Sequence, residues 1–334
     1  MTIEEIAKEL NISKSTVSRA ISGKGRIGEE TRARILSYIE NAERIKASRN
    51  TSLRTGNVGV VFPADMYITS KPYFHSCLIG MCGIANLMDY NIVLATATAT
   101  DISGIAKLVE QSKVDGVILT RSLEHDIAVD YLLEKNVPVA MTGICNKKEV
   151  LQVDIDNEEA SETMTNLLIK KGFKKFALIV EDMNYHVNRS RQEGFFKAIL
   201  RNGLDRTSQV VYNVGGKIEL MDAIITDMIS KKVECVICGD DTICIQIVSS
   251  LQEKGYRIPK DIAVASLYNS SSLDRFTPSI TTVSIDAIRV GNEIARLMIN
   301  RLQGMECPSR TMLEYDILFR KSTYRLNPKT RGGT

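Results

Sequence analysis

A chain of 334 residues has room for about two domains at ~100 to 200 residues each and can bury a sizeable core. Its 44% hydrophobic and 25% charged residues are the balance of a globular chain, and no apolar run reaches the ~18 residues that cross a bilayer, which excludes a membrane-spanning role. The formal net charge is only +3, but residues 1–56 hold eleven Lys/Arg against seven Asp/Glu while the rest of the chain holds 32 against 33, so the basic part is the head.

The opening MTIEEIAK carries two early glutamates and no basic stretch followed by an apolar one, so it is not read as a secretory leader, and a cytoplasmic location is expected. Thr2 with Glu4 and Glu5 is a good helix start, a hydroxyl to cap free amides and acids facing the positive end of the helix dipole. Ile3, Ile6, Ala7 and Leu10 then recur at helical spacing. After a turn at Asn11, Ile12 packs inward and Ser13 caps a second helix to about Ile21, with Val17, Ala20 and Ile21 inward. Its outward face holds Lys14, Ser15, Ser18 and Arg19. Small hydroxyls beside long cations, with no acid, suit a helix lying in a major groove: hydroxyls for phosphates, Arg or Lys for guanine edges. A third helix is expected from about Glu29 to Ala42, with Ala33, Ile35, Leu36 and Ile39 inward. The run Gly23-Lys24-Gly25-Arg26-Ile27-Gly28 matches GxGxxG, the basis of an alternative reading as a nucleotide-dependent enzyme. A pyrophosphate cradle needs a preceding strand, however, and here a helix precedes it and Glu29 and Glu30 would repel phosphate.

Thr2, Ile3, Ile6 and Ala7, then the unbroken run from Ile12 to Ile21, then Gly23, Arg26, Ile27, Glu30, Thr31, Arg32 and Ile35 closely resemble the helix-turn-helix headpiece of the lac repressor (LacI/GalR) family of bacterial transcription regulators. S-x-x-T-V-S-R in this frame is its most specific part. The resemblance implies that the helix beginning at Ser13 reads the major groove through Lys14, Ser15 and Arg19, with Thr2, Thr16, Ser18 and Ser22 on phosphates. It also puts Leu53 at the leucine that wedges into the minor groove. The connector departs from the family pattern: Arg44, Lys46, Ala47 and Asn50 stand where Tyr, Pro, Asn and Ala usually announce a hinge helix, which leaves that helix open. Arg44, Lys46, Arg49 and Arg54 remain available to neutralise phosphates. The domains expected are 1–43 for DNA binding, 44–56 as linker and 57–334 as core.

From Asn57 short β-branched runs alternate with helical stretches, the pattern of parallel sheets in an α/β fold. About nine strands are expected: 58–62, 92–97, 116–120, 138–143, 176–180, 209–213, 234–239, 262–267 and 280–285. Among the helices between them are 79–88, 102–112, 158–171, 190–202 and 242–255. VDGVILT, VDIDN, RQEGFFKAIL, ITTVSID and LFRKST resemble the family's effector core, akin to periplasmic sugar-binding proteins. That implies two doubly wound lobes, roughly 57–157 plus 285–316 and 158–284 plus a C-terminal strand, with a cleft between them. The tail after Asp316, with Arg320, Lys321, Arg325, Lys329 and Arg331, is read as solvated.

Ligands of such sheets sit beyond the strand carboxyl ends. Arg191 in R-x-x-G-F falls on the family's ligand-binding arginine, and Asp240 where relatives have Asn or Asp. Gly143 and Tyr268 stand where the family usually has carboxylates. An unpaired hydroxyl in a closed cleft costs ~1 to 3 kcal/mol, so two missing acceptors argue against a typical hexose. Tyr73 and Tyr268 are candidates to stack a flat ligand, or ordinary packing. His75, His125 and His186 are far apart in sequence, and Asp240-Asp241 and Asp154-x-Asp156 read as helix caps, so no enzyme is expected. The seven scattered cysteines make no disulfide framework, and Cys235-x-x-Cys238 lies in an apolar run without a second pair, so no metal or cofactor is expected. The expected partners are double-stranded operator DNA bound by a homodimer, possibly a tetramer, and a small-molecule effector, with a protein effector as the alternative.

Overall fold

The structure, a computed structural model, describes residues 3, 6, 7, 10, 12–23, 27–29, 31–38, 54–64, 71–215 and 220–325. Thr2, residues 44–53 of the connector with Leu53, Lys24, Gly25 and Arg26 of the GxGxxG run, and the last residues of the expected third helix lie outside them. The chain separates into two compact units, Met1–Thr55 and Gly56–Thr334.

In the first unit a small core of Ile6, Ala7, Val17, Ala20 and Ile35 is buried, with Leu10, Ile12, Ile27 and Tyr38 packed on it. Helix α1 (Lys14–Ser22) contributes Val17 and Ala20, three apart and so on one face. Residues 31–38 are helical, and Ile35 points into the core. Several expected inward residues are not buried: Ile3, Ile21 and Leu36 are 40% or more exposed, and Ala33 is exposed. A unit this small has a core only one or two side chains wide, so the flank of each apolar stripe is left uncovered.

The second unit is the expected two-lobed α/β fold. Strands β1 (Asn57–Pro63), β2 (Asn91–Ala97), β3 (Gly116–Leu119), β4 (Val139–Thr142), β5 (Leu151–Ile155) and β11 (Arg310–Leu313) form one sheet in the order β11-β5-β4-β3-β1-β2, parallel throughout. The other contains β6 (Phe176–Val180), β7 (Val210–Asn213), β8 (Cys235–Cys238), β9 (Ala263–Ser266), β10 (Thr281–Ser284) and β12 (Asp316–Leu318), in the order β12-β10-β9-β8-β6-β7, with only β12 antiparallel. Strands such as β6, β8 and β9 are buried along their whole length because helices cover both faces, which is why they read as continuous apolar runs. Cys235 and Cys238 are buried core residues of β8, and burial pushes both thiols well up, away from the reactive thiolate.

Lobe one is covered by α2 (Pro72–Leu87), α3 (Ser103–Glu110), α4 (Ile127–Glu134) and α10 (Ala287–Leu302); lobe two by α5 (Asn157–Lys170), α6 (His186–Arg201), α7 (Met221–Ser230), α8 (Asp241–Glu253) and the short α9 (Ser271–Arg275). α2 begins at Pro72 and α6 at His186, earlier than their apolar periodicity indicated. Their first turns, with Tyr73 and Phe74 in α2 and Val187 and Asn188 in α6, line the interlobe cavity, although Phe74 also packs on Phe62 of β1. The three strands absent from the expected set are β5, which carries Gln152 and Asp154, and the short edge strands β11 and β12 with their exposed or half-buried residues.

Over its described residues the basic tail is only partly solvated: Lys321, Tyr324 and Arg325 are exposed, but the segment is also bonded to lobe two. Arg320 donates to the carbonyl of Ile280 at 2.6 Å and to Thr282 Oγ1 at 2.8 Å, and pairs with Asp274. Ser322 and Thr323 are buried, and Arg325 donates to the Gly172 carbonyl at 2.6 Å while lying over the Phe173 ring. Its cations satisfy carbonyls at the end of lobe two that no helix caps.

α2 and α10 pack through glycines: a methyl on Gly80 would overlap the Ile288 carbonyl, and one on Gly291 the Cys77 carbonyl. Gly291→Ala is therefore expected to lower core stability by ~1 to 3 kcal/mol, whereas Gly83→Ala, on the same helix α2 but with nothing near its Cβ, should leave stability unchanged or raise it by up to ~1 kcal/mol. Thermal melts of the two variants against the parent check both signs.

Candidate DNA-reading helix and effector cleft

Helix α1 starts where Ser13 leaves extended backbone (φ −74°, ψ 149°) and its Oγ accepts from the Thr16 amide at 3.2 Å. The same oxygen lies 2.8 Å from Ser15 Oγ and 2.7 Å from Thr16 Oγ1. Gly23, at φ 69°, ends the helix and its amide bonds the Arg19 carbonyl. Between these caps Lys14, Ser15, Ser18 and Arg19 are exposed, Ser22 is exposed at the last turn and Thr16 is half-buried. The face opposite Val17 and Ala20 thus presents hydroxyls and cations and no carboxylate.

In the second unit, one cavity lies at the strand carboxyl ends, where both sheets reverse strand order between β1 and β3 and between β6 and β8. Its space, mouth included, is about 880 Å³. Tyr73, Arg191, Asp240 and Tyr268, far apart in sequence, all line it. So do Gly143, Asp154, expected as a helix cap, and four residues with no expected role: Lys71, Arg121, Glu181 and Asn188. Arg121 follows β3 and Glu181 follows β6; Asp154 lies on β5, not at a helix start, while Asp156 caps α5 through the Glu159 amide. The two positions where the family usually has carboxylates hold no acid; Asp154 and Glu181 bring carboxylates to the cleft from other strands.

Arg191 sits where α6 presses on α5. Gly194 has no Cβ to strike the Glu158 carbonyl, and Ser161 Oγ donates 2.6 Å to the Arg191 carbonyl. Its guanidinium is buried, with Nε unbonded among the described residues and one long 3.5 Å contact to the Leu267 carbonyl. Burial lowers its pKa, against the opposing pull of Asp240 and Asp154. Asp240 divides its carboxylate: Oδ1 caps α8 at Ile243 N, 2.9 Å, and Oδ2 meets Lys71 Nζ at 2.9 Å. Burial raises its pKa, but Lys71 and the capping amide outweigh that and hold it low. Tyr73 and Tyr268 meet edge to face, centroids 5.7 Å apart at 85°, so they form no pair of parallel faces for sandwiching a flat ligand.

Two family profiles match the chain: bacterial regulatory proteins of the lacI family over residues 2–43, and a periplasmic binding protein-like domain over residues 165–323. The chain carries a lacI-family DNA-binding region and a periplasmic binding protein-like domain. Among its relatives, the transcriptional regulator RegA of Clostridium saccharobutylicum is 28% identical over 96% of this chain and 99% of its own, and MalR of Staphylococcus xylosus 29% over 91% and 92%. Among solved structures, a transcription regulator-like protein from Staphylococcus haemolyticus (TM-score 0.75, 23% identity, 82% of this chain and 100% of that one) shares the fold. So does a CelR regulator solved as its cellobiose complex (0.73, 24%, 96% and 99%).

Two features separate this cleft from a purely aromatic or purely charged one. The residues after β3 and β6 are tied across it by main-chain bonds, Glu124 N to Asn184 O and His186 N to Ser122 O, both 3.1 Å. The charges alternate in sign, so each is partly compensated. His125 and His186, distant in sequence, share a second, polar recess beside that bridge with Asp126, Asp130 and Glu193.

Asp154 accepts from Ile155 N at 2.8 Å and Asn157 Nδ2 at 3.1 Å, yet burial pushes its carboxyl up to about 6 against those bonds and the pull of Arg191. A raised acid binds more protons folded than unfolded, so its contribution to stability is lost as pH rises from about 4 to about 6. Relative to Asp154→Asn, the parent protein should therefore lose ~1 to 3 kcal/mol across that window, and thermal melts of both at pH 4, 5, 6 and 7 check the sign.

Proposed function

We propose that this protein is a DNA-binding transcription regulator of the repressor type, not an enzyme, that holds a near-palindromic operator as a cytoplasmic homodimer and responds to a small molecule in the core cleft. The observation that carries the reading is α1: a capped helix, in a lacI-family headpiece, whose outward face offers Lys14, Ser15, Ser18 and Arg19 and no acid. Lys14, Ser15 and Arg19 read base edges, and Thr16, Ser18 and Ser22 hold phosphates. Thr2 and Leu53 join them as phosphate contact and minor-groove wedge.

Dimerisation is favoured by the apolar surface of lobe one, where Ile79, Leu87, Leu94 and Ile288 are each between 47% and 78% exposed. A second copy would cover it. The effector sits against Arg191, Asp240, Tyr73 and Tyr268. Arg191 supports this most directly, as a buried cation with a donor unspent among the described residues. A ligand that binds one lobe arrangement better than another changes how the dimer presents its headpieces, and so its affinity for the operator. CelR, a relative by fold, binds cellobiose; Asp154, beside Arg191, gives this cleft a hydroxyl acceptor of the kind a sugar needs.

Arg19→Ala is expected to cost ~1 to 3 kcal/mol on the specific operator and distinctly less on random DNA of equal length, in titrations at one fixed salt concentration. An equal loss on both would remove base reading by Arg19.

A further inference from the structure

Lys71 is the residue of the cleft that neither its sequence context nor its helix accounts for. It holds the cap position of α2, where Ser, Thr, Asp or Asn would bond free amides and where a cation faces the positive end of the helix dipole; it makes no side-chain cap bond. Instead its side chain leaves lobe one and ends between two carboxylates of lobe two, 3.0 Å from Glu181 Oε2 and 2.9 Å from Asp240 Oδ2. Its side chain is 8% exposed and those of its partners 16%. Glu181 and Asp240 follow β6 and β8, the strands on either side of the order reversal, so the ammonium occupies the floor of lobe two's ligand crevice.

The cleft is thereby divided. On one side Lys71, Glu181 and Asp240 compensate one another. On the other Arg191 keeps a donor with no partner among the described residues, beside Asp154. A neutral hydroxyl that pushed Lys71 aside would leave two carboxylates buried without a counter-charge, and an anion would add to their repulsion. Only another cation can take the place on equal terms.

We propose that Lys71 is a specificity-determining residue of this cleft, a tethered cation that fills the Glu181–Asp240 pair, so that this half of the site accepts a protonated primary amine and refuses neutral hydroxyls and anions. The inference rests on the reading of the cleft as the effector site. Neutral parts of a ligand bind around the lysine, toward Arg191; an amine-bearing ligand competes with it and in doing so releases the side-chain tie between the lobes.

The experiment removes the tether and returns its end group. In the full-length Lys71→Ala protein the missing atoms are those of n-propylammonium. Melting temperature is followed as n-propylammonium, n-propanol or propionate is added to the variant and to the parent. The expected result is a lower melting temperature for Lys71→Ala, a rise of about 3 °C at tenfold excess over the dissociation constant with the amine alone, and a much smaller rise in the parent. No rise with the amine in Lys71→Ala, or an equal rise with propanol, would overturn the proposal.

Should Lys71→Ala not fold, Lys71→Met and Lys71→Met with Glu181→Gln are compared. Coupling predicts that the double variant melts higher than the single one, because the second change removes an uncompensated charge. Purely additive losses would overturn the proposal. Operator binding is scored on the parent in parallel: its absence would remove the regulator reading, while the amine response depends on the core alone.

Discussion

Both sheets of the core reverse their strand order at corresponding strands, β1/β3 in one lobe and β6/β8 in the other, and the place of the cleft follows from that constraint. Crossover helices on either side of the reversal pack on opposite faces, so the loops leaving those strands part and open a crevice. Arg121, Glu181 and Asp240 come from such loops, Asp154 from the end of β5, Lys71 from the cap of the helix that follows β1 and Arg191 from the second turn of the helix that follows β6. Opposite charges from two lobes then meet in a small space, where Coulombic attraction between them offsets a desolvation cost that neither lobe could carry alone.

The headpiece obeys a different constraint. With few buried side chains, it depends on local chemistry to fix its helices: the Ser13 cap, the left-handed Gly23 and the spacing of Val17 and Ala20. These devices fix α1 from its ends and its inner face, so the residue types of its outer face are not set by core packing. The apolar side chains exposed at Ile3, Ile21 and Leu36 show how little of the unit packing determines.

Strands buried on both faces were legible because their apolar runs have no other use, and α1 because its cap, face and stop are all local. β5, β11 and β12 were not, since each carries polar residues whose partners lie elsewhere in the chain: Gln152 bonds Cys145 N and Arg310, and Asp154 bonds Asn157. Of the cleft, Arg191, Asp240, Tyr73 and Tyr268 were found by their place after strands or by resemblance. Lys71 and Glu181 were missed because nothing within a few residues of either signals a partner over a hundred positions away. Asp154 was read as a cap, a role that Asp156 takes instead. The tail misled through its charge: Arg320 and Arg325 are bonded to backbone carbonyls, which composition does not reveal.

The glycine contact between α2 and α10 bears on how the core responds to strain. Gly80 and Gly291 set backbone against backbone, with no side chains between the helices there to yield. α10 follows directly on the chain's passage out of β10 in lobe two, and α2 begins at Lys71 in the cleft. At this contact the two helices have no side chains that could repack, so their separation is fixed by backbone alone and a bulkier residue at either glycine must move a whole helix.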